Sequence, residues 1–463
     1  MDGDVLTLIL DGVEVNTTWE GLAERVLSTT TQSFSSAWLV LRAAQIFLVQ
    51  IGMLLLEIGS VSPKNTKTMI LKNIGNSSVS AICFYLLGYG FSFGEQGDDF
   101  IGWAGFATKG SSFSKDGVAF AHFFYYFCLL NLVPSIVSGS LSERTNVVAY
   151  FVITFFISIF ISPVIMHWAW SEKGWASNTS KYLMSTGVLD FAGSSVVHIS
   201  GGIMALVGAY VVGPRKGRFS VSGKKVRMPR GNVTYAALGA FFIWAGFYSL
   251  NMGTLLSFSS AGGNVLGRIA INTTVCATMA AVTVSAVTLY KEKSIDPYSV
   301  INGLCAGLAG SSAGCATMTT EGALVTGCFC GALYFLLSSM LCSFQIDDVT
   351  DVCPIHLGGG LVGSITAALF TTPELYKMAF LGSGEVSPCG AFYVCEGLGW
   401  RQLVANLIFL VVVSVWSLAA ALALFLPLRV MSLLRVDKLA EDAGLDFFAE
   451  SDNLHLKWTN QKL

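Results

Sequence analysis

The chain has 463 residues, of which 53% are hydrophobic and only 12% carry a charged side chain. Soluble domains usually carry about 25% charged residues, so a chain of this composition cannot cover a water-exposed surface of its size. Its net charge of -2 gives no sign of the strongly basic surface that nucleic-acid binding needs. The composition therefore predicts an integral membrane protein, with the lipid bilayer as a partner and no nucleic-acid partner.

Eleven largely apolar runs follow one another along the chain, each close to the roughly 20 residues that a membrane-spanning helix needs. We predict transmembrane helices near 37–58, 69–92, 118–138, 147–167, 191–213, 233–256, 264–290, 298–316, 319–341, 353–372 and 401–430. The break between the eighth and ninth runs is the least marked, because the two runs are nearly continuous. The predicted fold is an all-α polytopic membrane protein with eleven transmembrane helices. A transmembrane domain at 37–430 is flanked by an N-terminal segment at 1–36 and a tail at 431–463.

The charged loops indicate the orientation of the chain. Seven lysines and arginines lie between Arg215 and Arg230, in the loop after the fifth predicted span. Because loops rich in lysine and arginine stay in the cytoplasm, this loop is expected inside. Counting spans in both directions then places the N-terminus outside and the C-terminus inside.

The eleven cysteines fall into two groups. Nine lie in or at the edges of apolar runs, where cysteine behaves as a small hydrophobic residue. Cys389 and Cys395 share one polar loop instead, and their spacing leaves open whether they form a disulfide.

Two segments of the sequence resemble each other, one on the fifth predicted span and one on the tenth. Asp190 precedes His198 by eight residues, Asp348 precedes His356 by the same number, and glycines follow each histidine. Eight helical residues rise about 12 Å, so the two imidazoles are expected to meet near the middle of a membrane core about 30 Å thick. Each aspartate suits a helix N-cap, and Asp190 could also stabilise an incoming cation.

The matched spans enter the membrane from opposite sides, which is typical of two halves with inverted topology. We therefore predict two inverted five-helix repeats, at about 37–213 and 233–372, plus a final helix at 401–430. In such folds the binding site lies where the repeats meet.

Histidines inside a bilayer are costly and usually functional. One such histidine can be explained by a hydrogen bond between helices, but two in matched contexts favour a shared site. Because imidazole both donates and accepts hydrogen bonds, His198 and His356 could pass a proton along while a small neutral molecule moves past. Ammonium can shed a proton and so avoid crossing an apolar pore as an ion, whereas potassium and sodium cannot. Zinc is not expected, because third and fourth ligands at a matching depth are missing from the sequence.

Several motifs in a fixed order carry a family resemblance. They are Gly139-Ser-Leu-Ser-Glu143-Arg144-Thr, Asp190-Phe-Ala-Gly193 with Val196-Val197-His198-Ile, Gly267-Arg268, Asn302-Gly303-Leu304, Ala313-Gly314-Cys315, Asp351-Val352 through His356-Leu-Gly-Gly-Gly, and Gly444-Leu445-Asp446. Over about 37–446 the chain resembles the ammonium transporters of the Amt/Mep/Rh superfamily and is most similar to the Amt branch. That family has eleven helices with the N-terminus outside and the C-terminus inside, as inferred above.

The resemblance implies a role for each candidate site residue. His198 and His356 match the twin histidines of the family's pore, and Asp190 matches its aspartate near the entrance. Trp170 matches the tryptophan of an outer recruitment site, where an indole face attracts a cation by about 0.5–2 kcal/mol. By itself, its position at the end of a span would suit an interfacial belt. Thr254 stands where the family usually has a serine, and it keeps the hydroxyl.

The resemblance also implies a homotrimer in the plasma membrane, with one pore per subunit and with ammonium or ammonia as the ligand. It implies no cofactor, no metal and no enzymatic activity. The tail matches a cytoplasmic regulatory segment between 435 and 446, which in the family contacts the loops of a neighbouring subunit. The following Phe447-Phe448-Ala449-Glu450 departs from that pattern.

The pore entrance departs from the family pattern. The family stacks two phenylalanines across it, but alignment gives Leu129 at the first position and Leu250 at the second. Phe127 or Tyr125 could substitute if a helix bulge shifts the register. Either way, the gate is expected to differ from that of the family.

These features predict an ammonium transporter that recruits ammonium outside, deprotonates it and passes ammonia through an apolar pore lined by the two histidines. Two alternatives stay open. One is an ammonium sensor of the same fold with little flux, and the other is a Rh-like channel that passes ammonia without net charge.

Overall fold

Helices make up most of the protein, from Trp19 to Glu450. The computed structural model describes residues 6–10, 13–110, 113–114, 118–255, 262–380, 387–395 and 397–450, and for 6–10, 13–17, 262 and 448–450 it describes the backbone alone. The long helices are α1 (Trp19–Ser60), α2 (Thr66–Cys83), α3 (Val118–Ser140), α4 (Val147–Trp170), α5 (Ser194–Val212), α6 (Val233–Gly253), α7 (Gly262–Glu292), α8 (Pro297–Ser311), α9 (Thr320–Ser343), α10 (Pro354–Phe370) and α11 (Leu398–Val430).

Short elements connect and flank these helices. An N-terminal antiparallel hairpin pairs β1 (Leu6–Leu10) with β2 (Val13–Thr17), and a smaller one pairs β3 (Gln96–Gly97) with β4 (Gly102–Trp103). A π-helical turn joins α2 to a short helix, Tyr89–Phe93. Other short helices are Pro373–Ala379, Lys438–Ala443 and Leu445–Glu450.

The chain is a multi-pass membrane protein. Within the described residues, eight helices are long and apolar enough to cross a membrane, namely α1, α3, α4, α5, α6, α7, α9 and α11. The other three predicted spans correspond to α2, α8 and α10, which fall short of that length or apolarity. The count of eleven crossings and the two inverted repeats therefore stay predictions.

Two predicted helix starts are wrong. The first span is expected from 37, but α1 begins at Trp19, where the Thr18 hydroxyl caps it by accepting a hydrogen bond from the Gly21 N–H at 3.1 Å. The fifth span is expected from 191, but Gly193 has a left-handed backbone with φ of 105°, and α5 begins at Ser194. Eight helical residues therefore do not separate Asp190 from its histidine, because the chain at 188–193 is not helical.

Close backbone contact between α5 and α10 places the two predicted histidines side by side. A Cβ atom on Gly202 would lie 2.5 Å from the Leu357 N, and one on Gly360 would lie 2.5 Å from the Ser194 O. No side chain fits there, so glycine is required at both crossing points. The glycines that follow each histidine in the sequence thus serve helix packing.

A buried ionic cluster joins the loops on the side of the basic segment after α5. The guanidinium of Arg215 pairs with Glu143 and with Asp347, the latter at 2.7 Å from Nε to Oδ2. Burial opposes the charge on Asp347, but the hydrogen bonds and positive charge of Arg215 outweigh it and hold the pKa of this carboxyl well below its usual range. Arg144 is fully buried beside them and donates to the Asp347 carbonyl oxygen at 2.6 Å.

The C-terminal tail lies against the loops of its own chain. The Asp446 carboxylate accepts hydrogen bonds from the Lys67 and Thr68 N–H groups at 2.9 and 2.8 Å, at the start of α2. Glu441 accepts one from the Lys216 N–H at 2.7 Å. The described tail therefore bridges the loop after α1 and the basic loop after α5 within one subunit.

Candidate functional site

The two histidines of the repeated motif form one buried pair. Their Nδ1 atoms lie 3.0 Å apart, and the rings are nearly parallel, with centroids 5.0 Å apart and planes 12° apart. Each lies in a π-helical turn, Ser194–Ile199 at the start of α5 and Pro354–Gly358 at the start of α10. The wider turn changes which way a side chain points, and such turns are frequent at functional sites.

The short distance between the nitrogens determines the chemistry available to the pair. Only one of two facing nitrogens can carry the shared proton, so in the neutral pair one ring donates through Nδ1 and the other accepts. The donor ring then has a bare Nε2, and the acceptor ring has an Nε2–H. When a proton arrives at the bare Nε2 of the donor ring, the shared proton can move to the other Nδ1, and the acceptor ring then releases the proton on its Nε2. The two rings have then exchanged roles, and the pair has transmitted one proton through the apolar interior.

Apolar side chains surround the histidines and leave a narrow cavity beside them. Phe247 of α6 stacks on His198, with centroids 5.7 Å apart and planes 13° apart. The cavity has a volume of about 40 Å³. A water-sized molecule needs about 10–15 Å³ of such space, so there is room for only two or three small molecules. The residues that line it include Val49, Met53, Leu132, Ile136, Ile243, Val352, Ile355 and both histidines.

Asp190 lies ahead of α5 and caps it. Its Oδ2 accepts hydrogen bonds from the Ser195 and Val196 N–H groups, both at 2.9 Å. The residue is buried, and its other oxygen, Oδ1, has no hydrogen-bond partner among the described residues. Asp190 therefore bonds two N–H groups of the first turn, although the N-cap residue is Gly193 and not Asp190 as expected, and it keeps a free acceptor that a cation could use.

Trp170, at the C-terminal end of α4, is hydrogen-bonded to the backbone of this aspartate. Its Nε1–H donates to the Asp190 carbonyl oxygen at 2.9 Å, which fixes the indole over the non-helical segment before α5. Tyr126 of α3 packs against the indole, with ring centroids 5.6 Å apart. The indole itself is only partly buried. A partly exposed indole hydrogen-bonded to the backbone of an aspartate is a suitable place to attract a small cation.

Thr254 joins this group through Tyr125. The Tyr125 hydroxyl lies 2.8 Å from the Thr254 Oγ1 and donates to the Leu250 carbonyl oxygen at 2.9 Å. Tyr125 also packs against Tyr126, with ring centroids 5.2 Å apart. A chain of contacts thus runs from Trp170 through the two tyrosines to Thr254.

The four residues predicted for the entrance differ in their surroundings. Leu129 and Leu250 are both buried, with 1% and 0% of their surface exposed. Tyr125 ties the end of α6 to α3, whereas Phe127 packs against Phe47 of α1, with centroids 6.0 Å apart. Tyr125 is therefore in contact with Thr254, whereas Phe127 lies on the side of α3 that packs against α1.

Some residues of the site are missed by the sequence analysis. Phe247 and Tyr126 belong to long apolar runs and have no local feature that distinguishes them. Glu57 and Lys72 did carry a signal, because each is an ionisable residue inside a predicted span, and such residues are usually functional. The structure buries them together as an ion pair next to the cavity.

The family comparison agrees with the resemblance seen in the motifs. The model of the Ammonium Transporter Family matches residues 37–453. The chain is 33% identical over 433 residues to ammonium transporter 1 member 3 of Solanum lycopersicum, covering 90% of this chain and 92% of that protein. It is 35% identical over 404 residues to ammonium transporter 1 member 1 of Arabidopsis thaliana, covering 84% of this chain and 78% of that protein.

Solved structures share the fold. A protein described as a sensor Amt protein superposes with a TM-score of 0.82 at 27% identity, covering 92% of this chain and 100% of that one. Mep2 of Candida albicans superposes with a TM-score of 0.74 at 21% identity, covering 87% of this chain and 86% of that one. The second likeness concerns the fold alone.

Proposed function

We propose that this chain, which belongs to the ammonium transporter family, transports ammonium. In this proposal the ion separates into ammonia and a proton, and both move through the histidine-lined pore. The observation that carries this proposal is the buried His198–His356 pair, with 3.0 Å between the Nδ1 atoms. The mostly apolar lining beside the histidines disfavours a bare ion there, whereas the volume of about 40 Å³ admits a neutral molecule of the size of water.

Recruitment takes place at Trp170, Thr254 and Asp190, which together form the recruitment group. The indole of Trp170 and the hydroxyl of Thr254 hold the cation, and the free Oδ1 of Asp190 stabilises its charge from the buried side. Replacing water around ammonium requires acceptors, and a carboxylate oxygen with no partner is the strongest acceptor of this group. Transfer of one proton from the ion to this Oδ1 leaves ammonia to enter the apolar pore.

The histidine pair serves the second step. Its shared proton can move from one Nδ1 to the other, so a proton entering at one Nε2 leaves from the other ring. Ammonia passes beside the same rings through the cavity. The transport then carries a net charge, which distinguishes it from a channel that conducts ammonia alone.

The assembly and orientation are part of the same proposal. The chain forms a homotrimer in the plasma membrane, with one pore per subunit, the N-terminus outside and the C-terminus inside. The concentration of basic residues between Arg215 and Arg230 supports this orientation. The matched π-helical turns at the two histidines support two inverted repeats with the site between them.

The test is expression in cells that lack ammonium uptake, with growth and ammonium-induced currents measured together. Saturable current and restored growth are expected. Growth without current would indicate electroneutral ammonia conduction, and the proton-relay part of the proposal would be wrong. Absence of both, in a protein that reaches the membrane folded, would contradict transport.

A second candidate function is ammonium sensing with little flux. Two observations favour it, namely the likeness to a sensor Amt protein and the buried leucines at the entrance positions in place of phenylalanines. A sensor binds ammonium without comparable transport. Measuring ammonium binding by calorimetry on the same purified protein as flux in vesicles separates the two candidates.

A further inference from the structure

A second polar centre borders the cavity, away from the recruitment group. Glu57 of α1 is 5% exposed, and Lys72 of α2 is 0% exposed. Their side chains form a salt bridge, and the Lys72 ammonium also lies 5.1 Å from the centroid of the Tyr150 ring. Of the two charged residues, Glu57 lines the cavity and Lys72 lies behind it.

The carboxylate is fixed by three donors. Lys72 and the Ser142 hydroxyl donate to Oε1, and the Asn73 amide donates to Oε2 at 2.7 Å. A carboxylate offers about four acceptor positions, so the three donors leave one unfilled. The ammonium of Lys72 offsets the cost of burying the charge, and the other two donors fix the direction of the group.

The hydroxyl group of Thr350 is a further polar group in the lining of the cavity. Thr350 is 6% exposed and lines the cavity, and its Oγ1 has no hydrogen-bond partner among the described residues. A buried hydroxyl without a partner is unfavourable, which points to a small polar occupant of the cavity. Thr350 and Glu57 thus give the lining of one cavity two acceptors, and an ammonium ion has N–H groups to donate to both.

The position along the pore identifies the step that this centre serves. The cavity follows α1 from Val49 to Glu57, a rise of about 12 Å, and also includes both histidines. Glu57 lies three residues before the end of α1 at Ser60. The Ser62 N–H, just beyond that end, donates to Glu143, which pairs with Arg215 of the basic loop. The centre therefore lies between the histidines and the side that the basic residues assign to the cytoplasm.

We propose that Glu57 and Thr350 form an inner ammonium-binding site, where ammonia regains its proton before release to the cytoplasm. The inference rests on the proposed transport function. In this step a proton held by His356 as imidazolium moves to the lone pair of ammonia, so that one N–H bond breaks on the ring and one forms on ammonia. The imidazole becomes neutral, and the new ammonium ion donates to Glu57 and Thr350.

The test measures KM for ammonium from each side, in right-side-out and inside-out membrane vesicles. Glu57→Gln alone would leave Lys72 buried without a partner, so the variant used is Glu57→Gln with Lys72→Met. A charge-assisted hydrogen bond to a bound cation is lost, and we expect KM on the cytoplasmic face to rise about tenfold while KM on the outer face stays within about twofold. Thr350→Val is expected to raise the cytoplasmic KM several-fold, with Thr350→Ser as its matched control.

The exchanged pair, Glu57→Lys with Lys72→Glu, distinguishes binding from a purely structural role. A structural ion pair would be restored by the exchange, whereas a cation on the cavity wall would repel ammonium, and we expect transport to be lost in a folded protein. Normal transport by the exchanged variant, or a cytoplasmic KM that Glu57→Gln with Lys72→Met and Thr350→Val both leave unchanged, would overturn the inner site while leaving the proposed function intact. Absence of transport by the wild-type protein would overturn both.

Discussion

The segments around Asp190 and Asp348 have the same local pattern and different surroundings. In both, an aspartate ahead of a π-helical turn accepts a hydrogen bond from the backbone N–H five residues later, at 2.9 Å from Ser195 and 2.7 Å from Cys353. In both, one carboxylate oxygen has no partner among the described residues. Beyond that the two differ, because the carbonyl oxygen of Asp190 accepts a hydrogen bond from the Trp170 indole, whereas Asp348 lies among acidic and basic groups of the loops.

The difference shows how one motif can serve two purposes. Capping needs only an acceptor, so it is common to both aspartates. The cation recruitment proposed above also needs an aromatic ring, and Asp190 has the Trp170 indole hydrogen-bonded to its carbonyl oxygen. Burial and the nearby charge of Asp351 raise the pKa of Asp348 to about 7, so this group is partly neutral under ordinary conditions.

The largest effect on ammonium flux is expected at His198 and His356, where the two segments meet. His198→Ala or His356→Ala removes the relay, and we expect ammonium flux to fall about a hundredfold, as for loss of a general acid–base group. Because the two rings act as a unit, the double variant should fall no further than either single variant. Phe247→Leu, which removes the stacked ring and keeps the pair, is the control. Independent, additive losses would show that the rings do not act together.

The next effect separates the two aspartates directly. Asp190→Asn keeps an oxygen for the Ser195 and Val196 N–H groups but removes the charge, and we expect flux to fall about tenfold with a higher outer KM. Asp348→Asn is the matched control, since it makes the same change at the corresponding position. Its flux should stay within about twofold of the wild type. Equal losses in both variants would mean that capping alone explains the two aspartates.

A smaller effect is expected at the pore entrance. Leu129→Phe with Leu250→Phe adds two rings at buried positions, at a cost of about 1–3 kcal/mol in stability. If these positions form the gate, the maximal rate or the selectivity for ammonium over methylammonium should change several-fold in vesicle uptake. Unchanged rate and selectivity in a folded double variant would place the gate elsewhere.

The smallest effect concerns how the residue Asp348 changes the stability of the protein with pH. The pKa of Asp348 is raised in the folded state, so folding favours its protonated form. That stabilisation is present below about pH 4 and is lost as the pH rises through about 7, an effect of at most about 4 kcal/mol. Asp348→Asn cannot titrate, so its thermal unfolding temperature in detergent should fall less between pH 5 and pH 8 than that of the wild type. Parallel pH profiles for the two proteins would contradict the assignment.

Much of this molecule could be predicted from local sequence. The scarcity of charge requires lipid as solvent, and the lengths of the apolar runs locate the helices, because every backbone group in a bilayer must be bonded within its own segment. The repeated Asp190…His198 and Asp348…His356 spacing identifies the pair, since buried histidines are too costly to be placed without a reason. The start of α1 at Trp19 could not be predicted, because residues 19–36 mix polar and apolar side chains without a continuous apolar run.

Contacts between distant segments were decided only by the tertiary structure. The 3.0 Å approach of the histidines depends on glycines at the crossing of α5 and α10 and on the wider π-helical turns. The glycines are visible in the sequence, but the helix that each one faces is not, and the π-helical turns have no distinct local signature. The same holds for Phe247 on His198 and for Glu57 against Lys72, which come from different helices. Sequence alone determined which residues are too polar to be buried without a function, and packing determined which of them meet, because side-chain contacts depend on how the helices cross.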